Sequence, residues 1–360
     1  LYNVAENLMI QRAPMLSMVV PVRNEQEVLD DTYRTLTETL EALDLPFEVI
    51  VIDNGSHDLT PAIMSDICAR DQRWRFIRLS RNFQYQNSIT AGMLAASGDA
   101  IMCIDADLQD PPELIATFVA KWREGYEVVY GVREKRTGES PLRVIPTMWA
   151  MRFITWMSDE IKLPEHSSDF RLITRRVRDA FAEMPETSRY VRGMMHWLGF
   201  KQVGIPYTRR GRLKGTTNMN FWHLLAFMFN AVFCTSLKPL RAFSFLGVGV
   251  LASALSLAGV DLCQTLFGEA TAAIINPVIL LLLVNLGVMS LGIGILGEYI
   301  ARIYIESKRR PLWLVDYTRN FPAGSVERLR LGTRPGMTPA NLPDAGRRRQ
   351  DADAAEITSA

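Results

Sequence analysis

The sequence predicts an α/β fold, a doubly wound and mostly parallel sheet, with two membrane-spanning helices after it. Three observations carry this. Short β-branched runs alternate with longer amphipathic segments from Leu16 to about Gly131, acidic and polar residues gather where the runs end, and residues 242–260 and 270–297 carry no charged side chain. Strand and helix in alternation build a parallel sheet that takes its ligand at the C-terminal strand ends.

The runs LSMVVPV (16–22), FEVIVID (47–53), WRFIRL (74–79), DAIMCID (99–105) and EVVYG (127–131) read as strands. Helical spacing fills 25–43, 59–70, 86–96 and 112–124, with start signals at Asp58 ahead of Thr60-Pro61 and at Pro111-Pro112-Glu113. Asp58 reads as a helix cap in preference to a ligand contact. Residues 132–165 are less regular, a charged loop (133–140) followed by an amphipathic stretch over 147–157. DFRLIT (169–174) and KQVGIPYTRR (201–210) read as further strands around a helix near 176–183, and 209–217 reads as a mobile loop. NFWHLLAFMFNAVF (220–233) reads as a helix lying in a membrane interface.

At 1.5 Å per residue the two uncharged runs reach roughly 28 and 42 Å against roughly 30 Å of hydrocarbon, so each can span once, the second starting near Pro277. Two buried core helices are the alternative, but uncharged runs this long are rare in soluble domains. Lys238 and Arg241 precede the first span, Arg302 and 308–310 follow the second, and the connection has no Lys or Arg. That asymmetry places both termini and the soluble domain on the cytoplasmic side of an inner membrane. Gly and Ala along the spans suit contact between copies, hence a homo-oligomer. The division is then an N-terminal extension (1–15), a soluble domain (16–216), an interfacial helix (217–237), two spans (238–305) and a cytoplasmic tail (306–360). LWLVDY in that tail reads as one more short strand, and the composition past about 320 reads as disordered.

Charge excludes one class of partner: 40 Lys and Arg against 39 Asp and Glu leave +1, with no basic excess for nucleic acid. Four cysteines without CxxC and four histidines without metal spacing give neither a disulfide framework nor a zinc site. LYNVAENLMIQRAP lacks the basic stretch and apolar core of a signal peptide.

The strongest motif is IDADLQDPP (104–112), where residues two apart in a strand-end turn can point to one side. Asp105, Asp107 and Gln109 would then offer oxygens to one hard cation, Mg²⁺ or Mn²⁺. The alternative is a polar turn with Asp110 capping the next helix. Arg23, Asn24 and Glu25 follow the first strand, and Asp53 and Gly55-Ser56 follow the second. Asp53 is placed to accept a base N–H or a ribose hydroxyl. No GxxxxGK[ST] loop or strand-adjacent GxGxxG occurs, and Gly292–Gly297, which fits the latter string, lies inside a span where small residues serve helix contact.

Read in order, PVRNEQE, IDNGSHDLT, SRNFQYQNSITAG, DADLQDPPELI, GVREKR, SSDFRLITRRV and GEYIARIY resemble the family 2 glycosyltransferases of the GT-A fold. The closer resemblance is to polyprenyl-phosphate glycosyltransferases of the bactoprenol glucosyltransferase and dolichyl-phosphate mannose synthase type, over about Leu16 to Arg310. It implies inverting transfer of a sugar from a nucleotide sugar, UDP-glucose favoured, to a polyprenyl phosphate, undecaprenyl phosphate favoured. By the same resemblance Pro21, Glu25 and Asp53 hold the nucleoside, with Arg23 and Ala106 beside them. Asp105, Asp107 and Gln109 hold the metal on the diphosphate, Asp107 acting catalytically. Arg133, with Arg209 or Arg210 and Lys214, meets the acceptor phosphate. Asp169 sits near the reacting centre, where it either orients Arg171 or the sugar or acts as a base.

Three positions depart from the family pattern: Arg23 stands where an aromatic is usual, Asn54 where a second acid is usual, and Asn218 where Lys is frequent. Rival classes lack their marks. A processive polysaccharide synthase should carry QxxRW and more spans, and RYVRGMMHW (189–197) has no Gln; a transporter needs more than two spans per chain unless it assembles as an oligomer; a scaffold has no use for an intact DADLQ.

Overall fold

The computed structural model describes residues 14–136, 167–209, 238–267 and 277–322. Its centre is an eight-stranded sheet in the order β7-β5-β6-β4-β1-β2-β3-β8. The strands are β1 (Leu16–Val22), β2 (Phe47–Asp53), β3 (Trp74–Leu79), β4 (Ala100–Cys103), β5 (Val128–Arg136), β6 (Ser167–Thr174), β7 (Gln202–Arg209) and β8 (Val315–Arg319). β1 pairs in parallel with β2 and β4, β2 with β3, and β5 with β7, while β6 and β8 run antiparallel to their neighbours. Helices α1 (Leu29–Glu41), α2 (Thr60–Arg70), α3 (Tyr85–Ala95), α4 (Ile115–Arg123), α5 (Arg175–Ala182) and α6 (Val191–Trp197) cover the sheet.

Alternation along the strands divides the core. Met18, Val20, Val49, Val51 and Phe76 join Leu36 and Leu40 of α1, Met64 and Ile67 of α2 and Phe118 of α4. Val19, Ile50, Ile52 and Ile77 point the other way, against Ile89 and Met93 of α3, Val177 and Phe181 of α5 and Met194 and Met195 of α6. Both faces of the central strands are thus buried, as a doubly wound sheet requires.

The structure alters several expected boundaries. β4 stops at Cys103 because residues 104–111 turn away, with Leu108 at φ 51° and Pro111 closing the turn. β5 runs on to Arg136 because its parallel ladder with β7 continues to Arg136–Arg209. Helix α6 lies where the sequence offered no strong pattern. The expected interfacial helix (217–237), the amphipathic stretch at 147–157, Arg210 and Lys214 lie outside the described residues.

Helices α7 (Lys238–Phe267) and α8 (Pro277–Ser307) are long and apolar enough to cross a membrane, consistent with two spans. They meet where the Phe243 ring packs on Gly292: a Cβ there would sit 1.8 Å from Phe243 Cζ, so a larger residue would have to displace the ring. Gly294 and Gly297 meet nothing within 4 Å. In the segment after α8 the short strand expected at LWLVDY forms, as β8. Leu312 and Trp313 are buried in the same core cluster as residues of α3, α5 and α6, and β8 adds itself antiparallel to β3. Asn320 Nδ2 ties this edge to the carbonyls of Cys68 (2.7 Å) and Trp74 (2.8 Å).

Candidate active site

The C-terminal ends of β1, β2 and β4 open on a cleft of about 350 Å³ lined by Pro21, Arg23, Glu25, Asn54, Asn82, Gln84, Tyr85, Asp105, Ala106, Asp107 and Arg209, among others. The loops around it are cross-linked. Asn24, at φ 55°, donates its N–H to Ser56 Oγ (2.8 Å) and accepts from His57 N (2.9 Å); Glu25 N donates to Thr60 Oγ1 (3.0 Å). Asn54 donates to Asn82 Oδ1 (3.0 Å) and accepts from Phe83 N (2.8 Å), so the amide at this atypical position ties β2 to the loop after β3. Gly55 turns at φ 71°, and a Cβ there would fall 2.6 Å from the Arg81 carbonyl carbon. Gln84, also on the cleft, has φ 74° and ψ 156°, backbone that is essentially reserved for glycine and marks stored strain. Asp58, expected as a helix cap, lies one residue before the N-cap of α2, Leu59; it accepts from Thr60 N at 3.0 Å and, across to the loop after β1, from Gln26 N at 3.2 Å.

In the loop after β4, Ala106, Leu108 and Asp110 are buried while Asp105, Asp107 and Gln109 are half-buried, the alternation expected of a turn that points every second residue one way. The Thr32 hydroxyl anchors this loop from α1, 2.7 Å from the Ala106 carbonyl. Tyr85 O–H donates to Asp105 Oδ1. Arg209, from the end of β7, brings one guanidinium within 3.8 Å of Asp105, 4.0 Å of Asp107 and 3.6 Å of Asp110. Burial and the charges of Asp110, Asp107 and Asp169 push the Asp105 carboxyl up to about 6, against the Tyr85 hydrogen bond.

Among the described residues, no three of His, Cys, Asp and Glu converge tightly enough to ligate one metal. Asp105 and Asp107, two cleft-lining carboxylates that together draw a guanidinium, are nonetheless hard, anionic oxygen ligands of the kind that take Mg²⁺ or Mn²⁺ with phosphate and water completing the shell, whereas Gln109 is not among the cleft-lining residues and its backbone N–H donates to Asp107 Oδ1 at 3.2 Å.

Asp110 does not cap the next helix. It is buried, accepts the Tyr207 O–H at 2.5 Å and lies 3.7 Å from Arg133 Nη2, while Arg133 Nε donates to Tyr207 Oη at 3.0 Å. Parallel pairing of Arg133 with Tyr207 between β5 and β7 creates this cluster.

Asp53 is fully buried and is not among the cleft-lining residues. Its Oδ1 accepts from Ser56 N (2.9 Å), its Oδ2 has no hydrogen bond and lies 3.8 Å from Arg78 Nε, and burial raises its pKa. Oδ2 is therefore supported by the Arg78 charge, and Asp53 acts on the cleft through the Ser56 turn that it holds.

β6 runs antiparallel beside β4 with Arg171 opposite Cys103, which brings Asp169 beyond the end of β4, near Asp105. Arg171 is buried away from the cleft surface, donating to the Ser168 carbonyl at 2.8 Å and lying 3.7 Å from Asp169. The main partner of Asp169 is Arg192 of α6, at 3.0 and 2.7 Å. Burial opposes the Asp169 charge, but Arg192, Arg171 and Arg133 together outweigh it and hold the carboxyl below its ordinary value.

Tyr85, Asp110, Arg192 and Tyr207 are site residues that sequence reasoning missed. Asp110 adjoined a recognised motif but had a plausible local role. The other three act across chain separations that only the fold brings together.

Residues 17–181 match the family described as glycosyl transferase family 2. The chain is 39% identical over 300 residues to the uncharacterized glycosyltransferase YkcC of Bacillus subtilis, covering 83% of this chain and 93% of that one. It is 33% identical over 301 residues to a prophage bactoprenol glucosyl transferase homolog of Escherichia coli, covering 83% of this chain and 98% of that one. Among solved structures, it matches a glucosyl-3-phosphoglycerate synthase from Mycobacterium tuberculosis in complex with Mn²⁺, UDP-glucose and phosphoglyceric acid, at 20% identity and a TM-score of 0.42 over 61% of this chain and 78% of that one.

Proposed function

This chain belongs to the family 2 glycosyltransferases of the GT-A fold, and we propose that it transfers a sugar from a nucleoside-diphosphate sugar, UDP-glucose first among candidates, to a membrane polyprenyl phosphate, undecaprenyl phosphate first among candidates. The observation that carries this reading is the joining of an acidic, arginine-lined cleft to two apolar helices through β8 and Trp313. Bactoprenol glucosyl transferases named among the relatives share almost their whole length with this chain, which supports a lipid acceptor.

In the proposed reaction an acceptor phosphate oxygen bonds to C1 of the sugar as the bond from C1 to the diphosphate oxygen breaks, inverting C1 and releasing the nucleoside diphosphate. Pro21, Arg23, Glu25 and Ala106 face the nucleoside and sugar, and Asp53, buried behind them, holds the Ser56 turn beside Arg78. Asp105, Asp107 and Gln109 would hold Mg²⁺ or Mn²⁺, which supplies positive charge against the leaving diphosphate. A phosphate monoester has a second pKa of about 6, so the acceptor arrives largely as the anion and needs positioning more than a base. Arg133, fixed by Tyr207 and Asp110, and Arg209, at the mouth of the cleft, supply that positioning, with Arg210 and Lys214 continuing the basic segment. Asp169, held ionised by Arg192, orients cations and sugar. The basic flanks of the spans favour a cytoplasmic catalytic domain.

The test is a donor panel. Membranes carrying the protein receive radiolabelled UDP- and GDP-sugars with added undecaprenyl phosphate, and the organic-extractable fraction is counted. Label from UDP-glucose is expected; label from a different nucleotide sugar would correct the donor, and none from any donor would overturn the reading.

A further inference from the structure

Glu306 lies at the end of α8, where the chain leaves the apolar segment. Its carboxylate reaches into the catalytic domain: Oε1 accepts the backbone N–H of Thr187 at 2.5 Å and Oε2 accepts the Thr187 hydroxyl at 2.7 Å. Hydrogen bonds onto an ionised acceptor are about twice as strong as neutral ones, and here one carboxylate makes two to one residue.

Thr187 sits in the loop between α5 and α6. Arg189 stiffens the same loop from within, buried over the Phe181 ring at 4.9 Å and donating to the carbonyls of Met184 (2.7 Å) and Glu186 (3.2 Å). The loop leads directly into groups at the candidate site. Val191 N donates to Gln86 Oε1 at 2.9 Å, next to the Tyr85 that bonds Asp105, and Arg192 grips both oxygens of Asp169. One short segment, 187–192, therefore touches the membrane helix at its start and the Asp169 carboxylate at its end.

A second attachment lies just beyond. Residues 308–311 span at most roughly 14 Å before Leu312 and Trp313 enter the core and β8 joins the sheet edge. A domain held by β8 alone would pivot about that short strand. Two separated attachments remove the pivot.

We propose that Glu306 is a positioning residue, whose grip on Thr187 registers α6, and through Arg192 the Asp169 carboxylate, to the end of the second membrane helix. The reacting centre is thereby set at a fixed height and angle to the bilayer. This rests on the lipid-phosphate reading above for its purpose, though not for the contact itself.

The test uses the full chain in lipid nanodiscs containing undecaprenyl phosphate, comparing Glu306→Gln, Thr187→Val, their combination and Thr187→Ser. Glu306→Gln and Thr187→Val should each lower kcat about tenfold, the size of a charge-assisted hydrogen bond, with the donor KM within about twofold. The double variant should be no worse than the poorer single, and Thr187→Ser, which keeps both bonds, should restore wild-type turnover. Amide exchange over 184–192 should accelerate in Glu306→Gln while β1 and β2 keep their protection. Additive losses, an unchanged kcat, or a loss confined to donor KM would overturn the positioning role. Unchanged exchange over 184–192 would overturn the contact itself. That exchange arm needs no acceptor, so a wild-type protein inactive on every polyprenyl phosphate would refute the function reading while the contact is still decided separately.

Discussion

Arg192 and Asp169 form a forked pair, Nε to Oδ1 at 3.0 Å and Nη2 to Oδ2 at 2.7 Å, that joins the first turn of α6 to the start of β6. Both groups are largely withdrawn from water, so each depends on the other. Removing one partner of such a pair costs about 3–5 kcal/mol, mostly from stranding the remaining charge. Arg192→Met should destabilise the protein by about that amount at pH 7, read by chemical or thermal unfolding in detergent. The Asp169 carboxyl is held below its ordinary value of 3.8, so its contribution is present above that pH and is lost as pH falls through the lower folded value. The penalty of Arg192→Met should accordingly shrink in acid.

His196 titrates with the opposite consequence for its charged form. Burial, with the nearby Arg171 charge, lowers it from 6.5 to about 4, and its ring meets Tyr130 edge-on at 5.0 Å. Between those two values the unfolded chain binds the extra proton, so stability present above pH 6.5 is lost as pH falls toward about 4. His196→Phe keeps the ring contact and should flatten the stability profile across that window. An unchanged slope would exclude His196 as its source.

Tyr207 shares one hydroxyl between Asp110, to which it donates, and Arg133, from which it accepts. Tyr207→Phe leaves the buried Asp110 short of a donor, at a cost of about 1–3 kcal/mol. It also frees Arg133 to turn. The acceptor KM should rise about tenfold, equivalent to 1.4 kcal/mol, with little change in donor KM. Steady-state kinetics with each substrate varied in turn checks the split.

Trp313 is buried in the core, two residues before the chain joins the sheet edge as β8. Trp313→Ala should cost about 3–5 kcal/mol by cavity formation. Limited proteolysis should then cut first near 308–320, because β8 is a short edge strand with only β3 for support.

Much of this was legible in the chain. The β-branched runs at 16–22 and 47–53 fixed β1 and β2 to the residue because a fully buried parallel strand leaves little choice of side chain. The acidic turn after β4 was legible for a different reason: alternating aspartates serve no packing role. Local patterns could not show which arginine faces Asp169. Arg171 is nearer in sequence, but β6 turns it into the interior, and Arg192 arrives only when α6 folds back. Tyr85 reads as an ordinary helix residue until α3 lies across the end of β4. The short strand at LWLVDY was legible from its apolar alternation and forms as β8, but that it would add to the edge of the same sheet, beside β3, depends on the fold alone.

In the proposed reaction Asp105 and Asp107 would set a divalent cation on the donor diphosphate so that a lipid phosphate can take the sugar. The most direct measurement is sugar transfer into extractable lipid by wild type and Asp107→Asn in nanodiscs, titrated with Mn²⁺ after chelation. Label in the lipid phase should require both the cation and Asp107, with the variant folded as judged by its unfolding transition. Transfer that proceeds undiminished in Asp107→Asn or without any divalent cation would contradict it.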